Sequence, residues 1–543
     1  MIARCLRHRA PVLWLLLPFM GGIVAARTLT PSLPVGWPLG AALLCVIGAT
    51  IWSAQFRRWA LLIAVALLCA GAGAYLLHRA RIAAWDKLPP REARLTLQVE
   101  RTFNSDPRRL SGIARIRSSD THLQDLRGQR VYFSLTRASD AAPPSRDTEI
   151  AVIGVIETLP LDAAMGSFEG FLNASGVNFR LTRGRVLSVV REPSAYARFR
   201  ERSLARFGAI LSLGLDKHDH LAGVFRAMLL GQKHELSEDQ RNQYLRSGTM
   251  HLFAISGLHI GVIALAIHGS LALLRLPALI RFLIGVVALW LYVDITGASP
   301  SAVRAFLMIT LAQAAMIARL PINPVATLAL AAFVGLLRDP MQLFSASFQM
   351  SYGTVAAIVL LGLPLAAYWD ENWALFRDLP KATWSRWHRA AEALWRVVRN
   401  ALAIGLATTL VSSICGVIFF QLFTPGGLLA NLLLIPVSSL AILSGFLSLV
   451  CGLAGWAGGA ILFNHAAAIV LVGMDAVIAW LLKIPGFFWT LQFRSSAAGY
   501  LSLALVIGAM MAGYALRWER RGGGFWAPFV LTGLALVLGV HLG

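Results

Sequence analysis

The sequence of 543 residues is poor in charge: only 14% of it is Asp, Glu, Lys or Arg, while 57% is hydrophobic. A soluble domain carries about 25% charged residues, so an ordinary soluble enzyme is excluded and a polytopic membrane protein is expected. Cysteine is scarce as well. Cys5, Cys45, Cys69, Cys415 and Cys451 match no metal-ligand spacing, and four of them fall in apolar runs. The polar region between residues 80 and 200 has none, so any fold there relies on its own core without disulfides. No G-x-x-x-x-G-K-[ST] loop occurs, so the chain is not itself a P-loop motor, and uphill movement would draw on an ion gradient or a partner. There is no tandem repeat.

The charge that is present leans one way, with a formal net of +22. Arginine and lysine crowding the cytoplasmic loops explain part of such an excess. Contact with a polyanion, nucleic acid or anionic lipid, is the sharper reading, and both can hold.

Long apolar runs organise the chain. Arg4, Arg7, His8 and Arg9 precede the run 11–26, which looks like a signal peptide. Further runs at 36–54 and 59–77, with Arg57-Arg58 between them, favour an uncleaved first helix with a cytoplasmic amino terminus. Beyond residue 248, runs fall near 249–274, 278–297, 301–319, 323–337, 345–367, 400–423, 428–452, 458–482, 497–516 and 525–542. Against the ~20 residues needed to cross a bilayer, the total is roughly thirteen spans. Threading them from inside places Arg275–Arg281, Arg319, the loop 370–399 and Arg517–Arg521 in the cytoplasm, all Arg-rich as expected, and the carboxy terminus outside. Gly353, Pro364, Pro436 and Gly445 mark spans open to breaks or re-entry.

The expected organisation is therefore amino-terminal membrane helices over 1–80, an external β domain over 85–192, amphipathic helices over 195–248 and a polytopic domain over 249–543. In the β domain, segments 94–103, 111–118, 129–136, 149–158 and 177–190 alternate apolar and polar residues, separated by turn-rich pieces such as 104–107 and 142–144. Leu95, Leu97 and Val99 should face inward, with Thr96, Gln98 and Glu100 outward. Five short strands suggest a small OB-like barrel, with a β-sandwich as the alternative. Residues 79–206 hold 22 basic and 14 acidic side chains, an arginine surplus that the positive-inside rule does not explain outside the membrane. The 195–248 helices should lie on the membrane surface or over a vestibule.

Polar groups where apolar spans begin mark candidate sites, because they are costly unless they face protein or water. His251, Ser256, Gly257 and His259 open the run at 249; on one helix the two histidines and the serine would share a broad face. Asp294 ends one span, while Ser301 and Arg304 sit in the next, where Asp294 and Arg304 could pair. Ser345, Ser347, Gln349 and Ser351 open another. Each Ser or Gln could equally be interhelical glue. A serine hydrolase built on Ser256 and His259 lacks a G-x-S-x-G elbow and a nearby carboxylate. Asp216 to His220 resembles a metal-binding H-x-H-x-D-H run only loosely, its histidines being misplaced, so no metal site, cofactor or catalytic residue is assigned.

The segments HLFAISGLHIGVIA (251–264), LLGQKHELSEDQRNQYLRSGTM (229–250), PSAVRAFLM (300–308), DPMQLFSASFQMSY (339–352) and NLLLIPVSSL (431–440) together resemble the ComEC-type competence family, bacterial inner-membrane proteins that internalise DNA during transformation. GSFEGFLNASGVNF (166–179) looks like the end of that family's amino-terminal domain. The resemblance implies an inner-membrane channel for single-stranded DNA, lying behind an external OB-like domain. It also implies a DNA receptor, a separate nuclease and a cytoplasmic ATPase as partners. Many members continue into a metallo-β-lactamase-like domain, which these residues do not include. On this reading Tyr132, Phe179, Arg180, Arg183 and Arg185 would bind the strand by stacking and phosphate contacts. His251, Ser256, Gly257, His259, Asp294, Ser301, Arg304, Gln349 and Ser351 would line or gate its path. The alternative is a permease for a lipid-linked or small anionic solute, with the β domain as an assembly module.

Overall fold

A computed structural model of the chain describes residues 12–29, 33–83, 89–103, 109–136, 144–160, 167–216, 219–320, 323–376, 378–518 and 525–542. The basic cluster at Arg4–Arg9, Cys5, the turn 104–107, Ala142-Pro143 and Lys217-His218 lie outside these residues. Two compact units emerge: residues 12–206 with 332–345, and residues 207–331 with 346–543.

In the first unit, helices α1 (Leu13–Thr28), α2 (Gly36–Ile51) and α3 (Phe56–Ala83) form a small bundle. A Cβ at Gly22 would overlap the Leu68 carbonyl, and one at Gly71 the Phe19 carbonyl. Glycine is thus what lets α1 and α3 cross backbone to backbone, as small residues do between membrane helices. The chain then enters a closed barrel of β1 (Arg91–Thr102), β2 (Arg109–Ser119), β3 (Arg130–Thr136), β4 (Glu149–Thr158) and β5 (Phe179–Arg191), in the order β1-β2-β3-β5-β4, with β4 returning to β1. All pairings are antiparallel except β3 with β5. Closure excludes the sandwich. Leu95, Leu97 and Val99 point into the core with Phe133, Ile150, Val152 and Leu181, as alternation predicts for a barrel filled by its own side chains. A short helix, α4 (Phe168–Ala174), sits between β4 and β5; its N-cap Ser167 accepts the Gly170 N–H at 3.0 Å.

Arg200, on α5 (Ala195–Ser212), donates to Asp147 at 2.8 Å and ties the start of that helix to the turn before β4. In the second unit, α6 (Asp219–Leu230) is not a surface helix. Leu221–Phe225 and Ala227–Leu230 are all buried, because apolar residues surround the helix instead of forming one stripe. It packs on the later helices, and Gly445 leaves room for Leu229 and Phe225. Then come α7 (Glu238–Arg246), α8 (Gly257–Leu273), α9 (Ala278–Ile295), α10 (Pro300–Ile317), α11 (Pro324–Arg338, whose second half belongs to the first unit), α12 (Ala346–Ala357) and α13 (Leu363–Asn372). The carboxy-terminal helices are α14 (Arg386–Phe420), α15 (Gly427–Leu453), α16 (Ala457–Leu481), α17 (Ser496–Ala515) and α18 (Trp526–Leu538). A π turn at Ile358–Gly362 joins α12 to α13 ahead of Pro364, whereas α15 runs unbroken through Pro436.

Among the described residues, eight helices are long and apolar enough to cross a membrane, counting α12 and α13 with their π turn as one, and five shorter apolar ones (α1, α2, α8, α11 and α18) occupy the other expected runs. At the head of α14, Arg399 is buried and donates to Asp370 at 2.8 Å, to Glu392 at 2.9 Å and to the Trp373 carbonyl. Glu392 in turn accepts the Leu375 N–H at 2.9 Å, so this ion network holds the 373–385 loop against the helix.

Candidate nucleic-acid interface and membrane pathway

Strand β3 organises the outer face of the barrel. Val131, Phe133 and Leu135 face the core, so Tyr132, Ser134 and Thr136 face out. Around Tyr132 the side chains are aromatic. Its ring meets Phe168 edge-on at 5.1 Å and stacks with Phe103 at 6.3 Å, and Phe171 lies 6.1 Å from Phe168 and 6.2 Å from Phe103. Phe168 is 53% exposed and Phe171 44%, an apolar surface that burial does not explain.

Around Ser134 and Thr136 the face becomes cationic. Arg109, Arg180 and Arg183 line a cleft with Ser134, Thr136 and Thr182. In register, Thr136 lies beside Arg109 of β2 on one side and Arg185 of β5 on the other. Strand β5 is bulged here: its pairing shifts opposite Phe133/Leu135, and Arg183 takes a left-handed φ of 52°. A Cβ on the next residue, Gly184, would overlap the Ile153 carbonyl, so the bulge needs glycine at that position. Arg183 and Arg185 are exposed. Arg180 differs, since it is held by Glu157 at 2.7 Å and Glu169 at 3.4 Å, and its charge is compensated.

Phe179 requires a correction. It is 2% exposed and part of the barrel core, because its place on β5 points inward, so it cannot stack on a ligand. The exposed aromatics are Phe168 and Phe171, whose i, i+3 spacing on α4 was readable, while Phe103 and Tyr132 are half-buried against Ile113, Leu159, Leu172 and Val177. Arg109 was also missed, since only the register places it across Thr136 from Arg185.

The polar residues of the second unit gather where α8, α10 and α12 meet. His251 is exposed on a 3-10 turn (Met250–Phe253) whose Leu252 and Phe253 are buried, not on the helix with Ser256 and His259. The reason is local: Ala254 and Ser256 are extended, and Ser256 caps α8, which begins only at Gly257. A Cβ at Gly257 would make ordinary contact with Ala305, so no close approach demands that glycine. Ser256 Oγ lies 2.8 Å from His259 Nδ1, and the Ser256 N–H donates to the same nitrogen at 3.4 Å. Nδ1 is thereby an acceptor and Nε2 carries the proton. His259 is fully buried, and among the described residues Nε2 has no side-chain hydrogen-bond partner, neither an acidic group such as a serine hydrolase uses to orient its histidine nor any other.

Ser301 donates to the Ile255 carbonyl at 2.8 Å and fastens the start of α10 to the Ser256 cap. One turn on, Arg304 is 5% exposed and donates through Nη2 to the Ser347 carbonyl at 2.7 Å and to Ser347 Oγ at 2.8 Å. Its guanidinium lies 5.8 Å from the Tyr352 ring centroid, and both Arg304 Nε and the Tyr352 hydroxyl are buried without a hydrogen-bond partner among the described residues. The bonds that place Arg304 thus go to α12. Asp294 is buried at the end of α9, and Gln349 and Ser351 are half-buried on α12. Together Ser301 and Arg304 join three of the sequence segments into one polar cluster, an arrangement that is costly within an apolar bundle. Among the described residues, no group of three His, Cys, Asp or Glu could hold a metal ion.

The family model described as Competence protein matches residues 228–519, just over half of the chain. ComE operon protein 3 of Bacillus subtilis (strain 168) is 30% identical over 138 residues, 25% of this chain and 18% of that protein. The chain thus matches less than a fifth of that relative's length. No solved structure matches. The family match takes in α8, α10 and α12, with the Ser256–His259, Ser301–Arg304 and Ser347–Tyr352 contacts, and the chain belongs to the competence protein family.

Proposed function

We propose that this protein is an inner-membrane channel that takes up single-stranded DNA in natural transformation. The observation that carries the reading is the outer face of the barrel, where a partly exposed aromatic cluster beside β3 adjoins an arginine cleft. Stacking platforms beside cationic grooves are how proteins bind single strands without reading sequence. The strand order, with its parallel β3–β5 pair, supports an OB-like module, whose β2–β3 face and the loops after β1 and β4 take oligonucleotides. Phe103 and α4 stand in those two loops.

On this reading all thirteen apolar helices cross, the amino terminus is cytoplasmic, and the barrel and carboxy terminus are outside; the Arg-rich loops favour that threading. His259, Ser301, Arg304, Gln349 and Ser351 line the path, with Ser256, Gly257, His251 and Asp294 at its rim. A DNA receptor and a nuclease act on the outside, and a cytoplasmic ATPase draws the strand in. Deleting the gene should abolish entry of labelled DNA into the cytoplasm while leaving surface-bound DNA, and the plasmid-borne gene should restore entry. Wild-type entry in the deletion strain would sink the proposal and turn attention to a permease for a lipid-linked or small anionic solute.

A further inference from the structure

Helix α16 crosses the second unit with one acidic side chain, Asp475, six residues before its end and so about 9 Å inside it. A carboxylate there is costly unless it is partnered. Its partner comes from far away in sequence: the Tyr244 hydroxyl of α7 donates to Asp475 Oδ1 at 2.6 Å. Tyr244 is completely buried and stacks on Phe253 with ring centroids 3.6 Å apart and an 8° tilt. Phe253 closes the 3-10 turn that leads directly into the Ser256 cap of α8. Burial, and then the Asp475 charge, push the Tyr244 phenol well above its ordinary range, so it stays a donor.

Asp475 itself is half-buried. His220 is exposed at the start of α6, which packs on α16. Among the described residues, the other charged groups on the packed elements are engaged or exposed. Arg226 of α6 is engaged by Glu235 at 2.7 Å and Asp219 at 3.6 Å, and Glu238, Asp239, Arg241 and Arg246 of α7 are exposed. Helix α15 carries no Asp, Glu, Lys, Arg or His. His465, the other titratable group of α16, is used by the Gly214 carbonyl at 2.9 Å.

We propose that Asp475 is a proton-binding site coupled through Tyr244 and Phe253 to the turn ahead of α8. A proton from water adds to Oδ2, the oxygen Tyr244 does not hold, and the carboxylate becomes a neutral carboxylic acid. Tyr244 keeps its own proton, but its acceptor loses the negative charge. The hydrogen bond weakens, and the Tyr244–Phe253 stack is released from its anchor. The site therefore takes a proton, and its charge state biases the element that positions Ser256.

The test is an infrared pH titration of the full-length protein in lipid nanodiscs, read without DNA, so that its outcome is separate from that of the uptake assay. Wild type should show a carboxylic C=O band that grows as pH falls and is absent from Asp475→Asn. Tyr244→Phe, which removes the donor that favours the charged form, should raise the proton affinity of that band roughly tenfold. Asp475→Glu serves as the folded control and should retain a titrating band. No Asp475-dependent band between about pH 4 and 9, or a midpoint that Tyr244→Phe leaves unmoved, would overturn the proposal.

Discussion

If the barrel face binds single strands as proposed, its arginines and its aromatics should fail in different ways. Arg109 and Arg185 flank Thr136, while Arg183 stands on the adjoining bulge, so one backbone track can meet all three. Each phosphate neutralised on a single strand contributes about 0.7 to the slope of log affinity against log salt. Three contacts give a slope near −2, a loss of roughly twentyfold between about 50 and 200 mM salt. The double substitution Arg183→Gln/Arg185→Gln should bring the slope down to about −0.7 and that loss to roughly threefold. Arg180→Gln should change it by less than about 0.7, because Glu157 and Glu169 already compensate Arg180. Phe168→Ala should instead lower affinity at every salt concentration by about 1–3 kcal/mol, with the slope unchanged. Fluorescence anisotropy with a labelled oligonucleotide and the full-length protein in nanodiscs reads both quantities. An unchanged slope in the double arginine variant would refute the phosphate track, and an unchanged intercept for Phe168→Ala would refute stacking.

Phe179→Ala should behave as a core deletion and not as a binding variant, costing about 3–5 kcal/mol and yielding a protease-sensitive barrel under limited proteolysis. Gly184→Val should also damage the barrel, since any Cβ there overlaps the Ile153 carbonyl, and a loss of folded protein on size-exclusion chromatography would show it. Arg399→Leu leaves Glu392 buried with its charge uncompensated and should cost about 3–5 kcal/mol, read as a fall in thermal midpoint in detergent. Arg304→Ala should reduce DNA entry at normal protein levels, with Arg304→Lys only a partial rescue, because a compact ammonium cannot both donate to Ser347 and reproduce the planar guanidinium's contact with the Tyr352 ring. Wild-type entry with Arg304→Ala would remove that residue from the path.

The barrel was readable because its signal is local. Alternation in 94–103 put Leu95, Leu97 and Val99 inside, and the five strands observed begin and end within three residues of the expected ones. What alternation could not supply is register, which is why Arg109 escaped notice and why Phe179, correctly placed on a strand, was assigned to the wrong face. A single-residue shift at a bulge reverses which side chains look outward, and β5 carries such shifts opposite both β3 and β4. The bulge at Arg183-Gly184 has no mark in the sequence beyond a glycine in a strand.

In the helical unit the difficulty is of another kind. Helical spacing put His251 and His259 on one face, but Ser256 is a strong N-cap residue, and a helix that starts there leaves the two histidines on different elements. Asp475 carried the clearest sign of all, a lone acid in the apolar run 458–482, yet its significance depends on Tyr244, which is 231 positions away. Pairing over such distances is what a membrane bundle requires, since an ionisable group in lipid must find its partner on another helix. Motifs at the heads of spans therefore reveal where polar groups collect. Only the packing of α7 against α16, and of α10 against α12, decides which of them act on one another.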